Sequence, residues 1–262
     1  MLKALILQII VLLCLATISY ADMADGIAAF NRGDFAAAEK EFKPLAKKGN
    51  VDAQIQMGYL YFHGKGVKQD YKEAAKWMKK AAGQGSSYAQ YNLGKMYATG
   101  KGVQQDDKEA VKYYRQAAEG GDAAGRIALG LAYASGTGIE KNEKEAATWI
   151  HKAADQGSPR ARGILGKLYA LGTGVPQSDA EAIRWYQLAA DAGDSDAQTS
   201  LGMVYYLGKG TEKDPLQAYV WSSIAAAAGV ELAKEIQGMA EKELTSAQLI
   251  DARKRVAQWK RK

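Results

Sequence analysis

The stretch GKMYATGKGVQQD, residues 94–106, sets Lys101 between Gly100 and Gly102. Glycines flanking a lysine are how a phosphate-cradling loop begins. The spacing argues against that chemistry. Five residues separate Gly94 from Gly100 where a phosphate loop has four, and Gly102 stands where a Mg²⁺-binding hydroxyl belongs. No apolar strand precedes the stretch. Metal chemistry fares no better, because the only histidines are His63 and His151 and a metal centre needs three or four ligands. No nucleophile elbow and no His-Glu-x-x-His pair occur. Glu73, Glu109, Glu145 and Glu181 recur at a fixed spacing. That regularity fits acids favoured at helix starts by the helix dipole, not a catalytic pair. No catalytic residue, cofactor or metal is expected, and the chain is not expected to be an enzyme.

The same glycines expose a period. Aligned on Leu/Met-Gly-x-x-Tyr, the chain repeats every 36 residues, five times without an insertion, from Val51, Ser87, Ala123, Pro159 and Ser195. Leu/Met-Gly occurs at 57–58, 93–94, 129–130, 165–166 and 201–202. Tyr follows at 61, 97, 133, 169 and 205. Gly-x-Gly follows that, at 64/66, 100/102, 136/138, 172/174 and 208/210. Next come Ala74, 110, 146, 182 and 218, an aromatic at 77, 113, 149, 185 and 221, an Ala-Ala pair, and a closing Gly at 85, 121, 157, 193 and 229. ATGKGV is thus one copy of a turn in which glycine reaches positive φ without strain.

One unit reads as two helices. Ala53, Met57, Leu60 and Tyr61 fall on one helical face, and Ala74, Trp77, Met78, Ala81 and Ala82 on another. Asp70, and Asp106, Asn142, Ser178 and Asp214 after it, can cap the second helix. A glycine in mid-helix costs about 1 kcal/mol against Ala. Its five recurrences imply close approach of a neighbouring helix to the missing Cβ. Neither helix can hide its apolar face alone, so the units must stack. The expected fold class is all-α, a right-handed α-solenoid of stacked antiparallel helix pairs.

The expected organisation is a signal peptide at 1–21, a degenerate capping repeat at 22–50, repeats at 51–86, 87–122, 123–158, 159–194 and 195–230, and capping helices with a basic tail at 231–262. Lys3, an apolar run to Ile18, and Ser19-Tyr20-Ala21 form the pattern of a cleaved secretory leader. A membrane anchor is the rival, but the run is short for a span of about 20 residues. Cys14 is the sole cysteine, so the mature chain has neither disulfides nor thiol chemistry. Leu13 before it is large for a lipid-attachment site. Thr245 and Gln248 form a capping box that opens a helix with Leu249, Ala252, Val256 and Trp259 on one side. The formal charge is +6, and the last twelve residues, DARKRVAQWKRK, hold six bases and one acid. A neutral body with a basic tail does not suit nucleic acid. Location is expected to be periplasmic or secreted, with membrane contact only through an uncleaved leader or weakly through the tail.

Five in-register units of the form A-x3-LG-x2-Y-x2-G-x-GV…A-x2-W/Y…KAA-x2-G resemble the Sel-1-like repeat, a relative of the tetratricopeptide repeat. The resemblance covers Val51–Val230 closely and Asp25–Asn50 in part. It implies a superhelix whose concave face binds proteins, in members that serve as adaptors and scaffolds. Bacterial members are often exported and linked to envelope assembly, signalling or host contact. A cysteine-rich branch is credited with β-lactam hydrolysis. Its units each carry a disulfide, and a mature chain without cysteine does not inherit that activity.

Transferring the related tetratricopeptide frame by position places on the concave face Ile55, Tyr59, Phe62 and His63 in the first unit, and Tyr91, Lys95 and Thr99 in the second. The third contributes Ile127, Leu131 and Ser135, the fourth Lys167 and Leu171, and the fifth Met203, Tyr206 and Leu207. These positions vary between repeats while core positions do not, so the fold does not dictate them. Ile55, Tyr91 and Ile127 share the fifth unit position, for which packing against the next repeat is an equal expectation. The expected partner is a protein or peptide laid along an apolar stripe of a monomeric chain. A β-lactam-type hydrolase, or envelope binding through the tail, are the alternatives.

Overall fold

The computed structural model describes residues 23–259. The expected leader at 1–21 and the final Lys260-Arg261-Lys262 lie outside them. The described residues form helices and no strands. Helix α1 covers residues 23–31 and α2 Phe35–Lys47. Five helix pairs follow: α3 Val51–His63 with α4 Tyr71–Gly83, α5 Ser87–Thr99 with α6 Asp107–Glu119, and α7 Ala123–Ser135 with α8 Glu143–Asp155. Then come α9 Pro159–Leu171 with α10 Asp179–Asp191 and α11 Ser195–Leu207 with α12 Pro215–Ala227. Helices α13 Glu231–Glu241 and α14 Ser246–Gln258 end the chain. No described helix is long and apolar enough to cross a membrane. The chain divides into two compact units. The first runs to Gly125 and includes Thr137–Ile139; the second holds Arg126–Gly136 and everything from Glu140 onward.

Each pair is closed by the same local chemistry. Gly64 takes a left-handed backbone (φ +65°) and donates its N–H to the Leu60 carbonyl, ending α3. Asp70 then starts α4, its carboxylate accepting from the N–H groups of Lys72 and Glu73. The Asp70 N–H donates to the Tyr61 carbonyl at 3.0 Å, and the four later cap residues bond the later tyrosines in the same way. The constant tyrosine thus marks the carbonyl that anchors the turn.

Glycine keeps two kinds of contact. A Cβ on Gly94 in mid-α5 would lie 2.7 Å from the Tyr114 ring and 3.1 Å from the Ala110 carbonyl oxygen. The two helices of a pair therefore touch at that point. The second glycine of Gly-x-Gly has a further constraint. A Cβ on Gly102 would overlap the Tyr71 carbonyl, which opens the second helix of the preceding repeat, and Gly174 meets Glu143 in the same way. Turn conformation alone does not explain these positions.

The recurrent tryptophan fills the wedge between repeats. Trp77 packs with Phe42, Met57 and Leu60, and Trp185 with Ile150, Ala161 and Leu165. Both are buried. At the C-terminal end the Thr245–Gln248 capping box forms with both reciprocal bonds. Buried Ala252, with Leu249, Val256 and Trp259, lies on the cluster built around Trp221.

Candidate functional site

In the first unit, Tyr59, Phe62 and His63 of α3 meet Lys95 and Thr99 of α5 around one cavity of about 310 Å³. The positions follow from helical geometry. Residues 59, 62 and 63 are three and four apart and share a face, as do 95 and 99. Met78 and Met96 also line the cavity, and both are buried. The rings form a connected set. Tyr59 and His63 have centroids 4.4 Å apart, Phe62 and His63 5.1 Å, and Phe62 and Tyr71 5.1 Å.

Sequence reasoning missed two cations here. Lys65 Nζ donates to Tyr59 Oη at 3.0 Å and lies 4.8 Å from the Phe35 ring centroid. Lys101 lines the cavity, with Nζ 5.4 Å from the Phe62 ring centroid and 5.5 Å from that of Tyr71. Both come from copies of the Gly-x-Gly turn, Lys101 from the stretch set against a phosphate loop. A signal for them existed: the middle residue reads Lys65, Lys101, Thr137, Thr173 and Lys209 along the chain. It varies, like the other positions the fold leaves free. Burial, and then the charges of Lys65 and Lys101, hold the His63 pKa below its ordinary value.

In the second unit, Leu131 and Lys167 line a cavity of about 450 Å³ with Arg160, Asp194, Asp196 and Leu232. Met203 lines a smaller one of about 240 Å³ with Ser200 and Lys209. Tyr206 lies beneath Lys213, whose Nζ is 5.1 Å from the ring centroid. Asp194 caps α11, accepting from the Ala197 N–H at 2.8 Å. Burial pushes its carboxyl up from the usual range, against the opposing pull of that hydrogen bond.

The fifth unit position behaves differently. Ile127 is 5% exposed and belongs to the core around Ile150 and Trp185, so it is a packing residue and not part of an open face. Ile55 packs on the cluster of Ala75, Met78 and Leu93 and also faces Met23 and Ile27. Tyr91 lies beside Tyr114, ring centroids 6.1 Å apart, with Lys95 5.5 Å above it. Of the two expectations for this position, packing wins at Ile127, because a frame transfer carries position and not the volume of the neighbouring helix; Ile55 and Tyr91 stay half-buried.

Residues considered for chemistry are engaged locally. Glu73, Glu109 and Glu181 pair with Lys76, Lys112 and Arg184 three residues on. His151 Nδ1 is 2.9 Å from Asp155, and its ring meets Trp185 edge-on. Among the described residues no group of three or more His, Cys, Asp or Glu is placed to hold a metal ion.

The Sel1 repeat matches this chain at residues 51–86, 87–122, 123–158, 160–194 and 195–230. Comparison with curated proteins returned no match. Among solved structures, c5321, a protective antigen of uropathogenic Escherichia coli strains displaying an SLR fold, is 34% identical with a TM-score of 0.80. The alignment covers 92% of this chain and 53% of that one, so this chain spans about half of that antigen. A Sel1 repeat protein from Oxalobacter formigenes is also 34% identical, with a TM-score of 0.76, over 85% of this chain and 100% of the other. A putative Sel1 repeat protein from Klebsiella pneumoniae, 21% identical with a TM-score of 0.51 over 78% of this chain and 99% of its own, shares the fold. Sel1 repeat proteins generally mediate protein–protein interaction. With five matched repeats on stacked helix pairs, the chain belongs to the Sel1 repeat family.

Proposed function

We propose that this protein is an exported, non-enzymatic scaffold that binds a protein partner through side chains on the first helices of its repeats. One observation carries the reading. In the first unit, Tyr59, Phe62, His63, Lys95 and Thr99, which the repeat leaves free, converge on a single cavity. Residues needed only for folding have no reason to converge on open space. Rigid helix pairs hold these side chains in place before binding, which lowers the ordering cost of association. Export rests on the leader pattern at 1–21 and fits the protective-antigen character of the E. coli relative, since antibodies must reach an antigen.

Affinity capture with the purified protein tests the binding face. A Tyr59→Ala/Phe62→Ala variant that keeps the wild-type melting temperature is expected to lose specific partners. An unchanged captured set would remove the cavity from consideration. Fractionation of cells expressing the full chain tests export, with a mature band in the periplasm or medium expected. Turnover of a chromogenic β-lactam would overturn the non-enzymatic reading.

A further inference from the structure

We infer that the first-unit cavity receives one large aromatic or aliphatic side chain from an acidic peptide segment of the partner. The inference rests on the binding reading above and adds the partner's chemistry. Three observations support it. The first is size and lining. About 310 Å³, bounded by Tyr59, Phe62, Met78 and Met96, suits a single large apolar side chain. Thioether and ring surfaces adapt to an apolar occupant.

The second observation is charge. Lys95 and Lys101 line the cavity, and Lys65 is bonded to its Tyr59 wall. Among the described residues no Asp or Glu lines it, and none of these three lysines forms an ion pair. Elsewhere in the same unit lysines do pair: Lys43 with Glu39, Lys76 with Glu73 and Lys112 with Glu109. Unanswered positive charge around one hydrophobic hole is complementary to an anionic segment and repels a basic one.

The third observation is placement. Lys65 and Lys101 rest over the faces of the aromatic rings and do not extend into solvent at random. Cation–π contact with Phe62 holds the Lys101 ammonium beside the cavity, and Lys65 is held behind its Tyr59 wall. An occupant seated against Phe62 would therefore bring its flanking carboxylates within reach of a pre-positioned cation. The turn that imitates a phosphate loop thus contributes an anion-recognising lysine after all, toward carboxylates.

The test uses the purified protein and fluorescein-labelled 12-residue peptides with one central Trp. Matched sets flank the Trp with Asp/Glu, with Asn/Gln or with Lys/Arg, and a fourth set replaces Trp by Ala in the acidic background. Anisotropy should show the acidic Trp peptides binding about tenfold or more tighter than the neutral ones, and weakening as salt is raised. Loss of the Trp should cost a similar factor. Lys95→Glu/Lys101→Glu should abolish the acidic preference and favour the basic set. Lys95→Gln/Lys101→Gln, a milder change, should remove the preference without reversing it. Equal binding of all sets, acidic binding that survives charge reversal, or equal competition by single-stranded DNA of the same charge would overturn the inference. The binding reading would still stand if Tyr59→Ala/Phe62→Ala lost its captured partners while the lysine variants kept theirs.

Discussion

The cavity of about 310 Å³ in the first unit and that of about 450 Å³ in the second stand on the same frame and differ in what the frame leaves free. In the first unit the ninth repeat position supplies Tyr59 and Lys95, and the turns add Lys65 and Lys101. In the second it supplies Leu131 and Lys167, and the turn after Lys167 carries Thr173 in place of a lysine. Arg160 and Lys167 there face Asp194 and Asp196, so positive and negative charge share the lining. One cavity is rich in aromatic rings and cationic; the other is mainly aliphatic, with Tyr186 its one ring, and mixed in charge. A constant repeat with independently varied lining lets one chain present different chemistry in its two units. The difference lies in side chains at positions that vary between repeats, whereas the likeness lies in the buried tryptophans and in the glycine and cap residues that shape each turn.

If the scaffold is common to both, injuring it should hurt both alike. Trp77→Ala and Trp185→Ala each remove a buried wedge between neighbouring repeats. Each should cost about 3–5 kcal/mol. Urea denaturation of the two variants measures this. A loss confined to one of them would show that the repeats are not equivalent beneath their linings.

The turn glycines sharpen the point at a smaller scale. Gly102 and Gly85 both have positive φ, +78° and +89°. A Cβ on Gly85 meets nothing within 4 Å, whereas one on Gly102 overlaps the backbone of Tyr71. Gly85→Ala should therefore carry only the left-handed backbone cost, about 1–2 kcal/mol. Gly102→Ala adds displacement of the preceding helix start and should reach about 3 kcal/mol. Thermal melts of the pair separate the two contributions, and equal losses would mean that the close approach relaxes without cost.

That contrast also marks how far the sequence could be read. Period, helix pairs and cap residues were legible because each obeys local rules: Asp70 satisfies the free N–H groups at a helix start, and apolar residues at helical spacing must be covered. The close contact at Gly94 was legible too, since a repeated mid-helix glycine has few other causes. What escaped were distances between repeats. The contact of Gly102 with Tyr71 spans a full turn-to-helix separation, and positive φ was already a sufficient reason for glycine. The position of Ile127 in the core and the seats of Lys65 and Lys101 on rings of other helices depend on tertiary geometry that spacing does not encode. Asn50, Ser86, Ser158 and Asp194, which cap the first helices, carry the same kind of local signal as Asp70 does for the second.

The charge difference between the cavities gives smaller effects of opposite origin. Asp194 is half-buried, and its folded pKa is raised above the unfolded value. Its contribution is then most favourable at low pH and is lost as pH rises through the folded pKa. Asp194→Asn keeps a good N-cap without the desolvated charge, so it should equal or exceed the wild type at pH 7. Asp194→Ala loses the cap and should fall by about 1 kcal/mol relative to the Asn variant. Melts from pH 3 to 7 read both effects, and an Asn variant less stable than wild type at pH 7 would assign the carboxylate a favourable partner such as Arg160.

His63 is the mirror case in the cationic cavity. Its pKa is lowered, first by burial and then by Lys65 and Lys101. Below its unfolded value the unfolded chain takes up a proton that the folded chain resists, so stability falls as pH drops from about 6.5 through the folded pKa. His63→Gln removes that proton and should flatten the decline between about pH 7 and 5 while leaving the melt at pH 8 almost unchanged. The effect should be small, because His63 is exposed and water screens the lysines. Lys101→Gln should give a partial flattening by removing one of the two cations. If it does not, burial alone depresses His63, and the cationic character that distinguishes this cavity from that of the second unit is weaker at the ring than the distances imply.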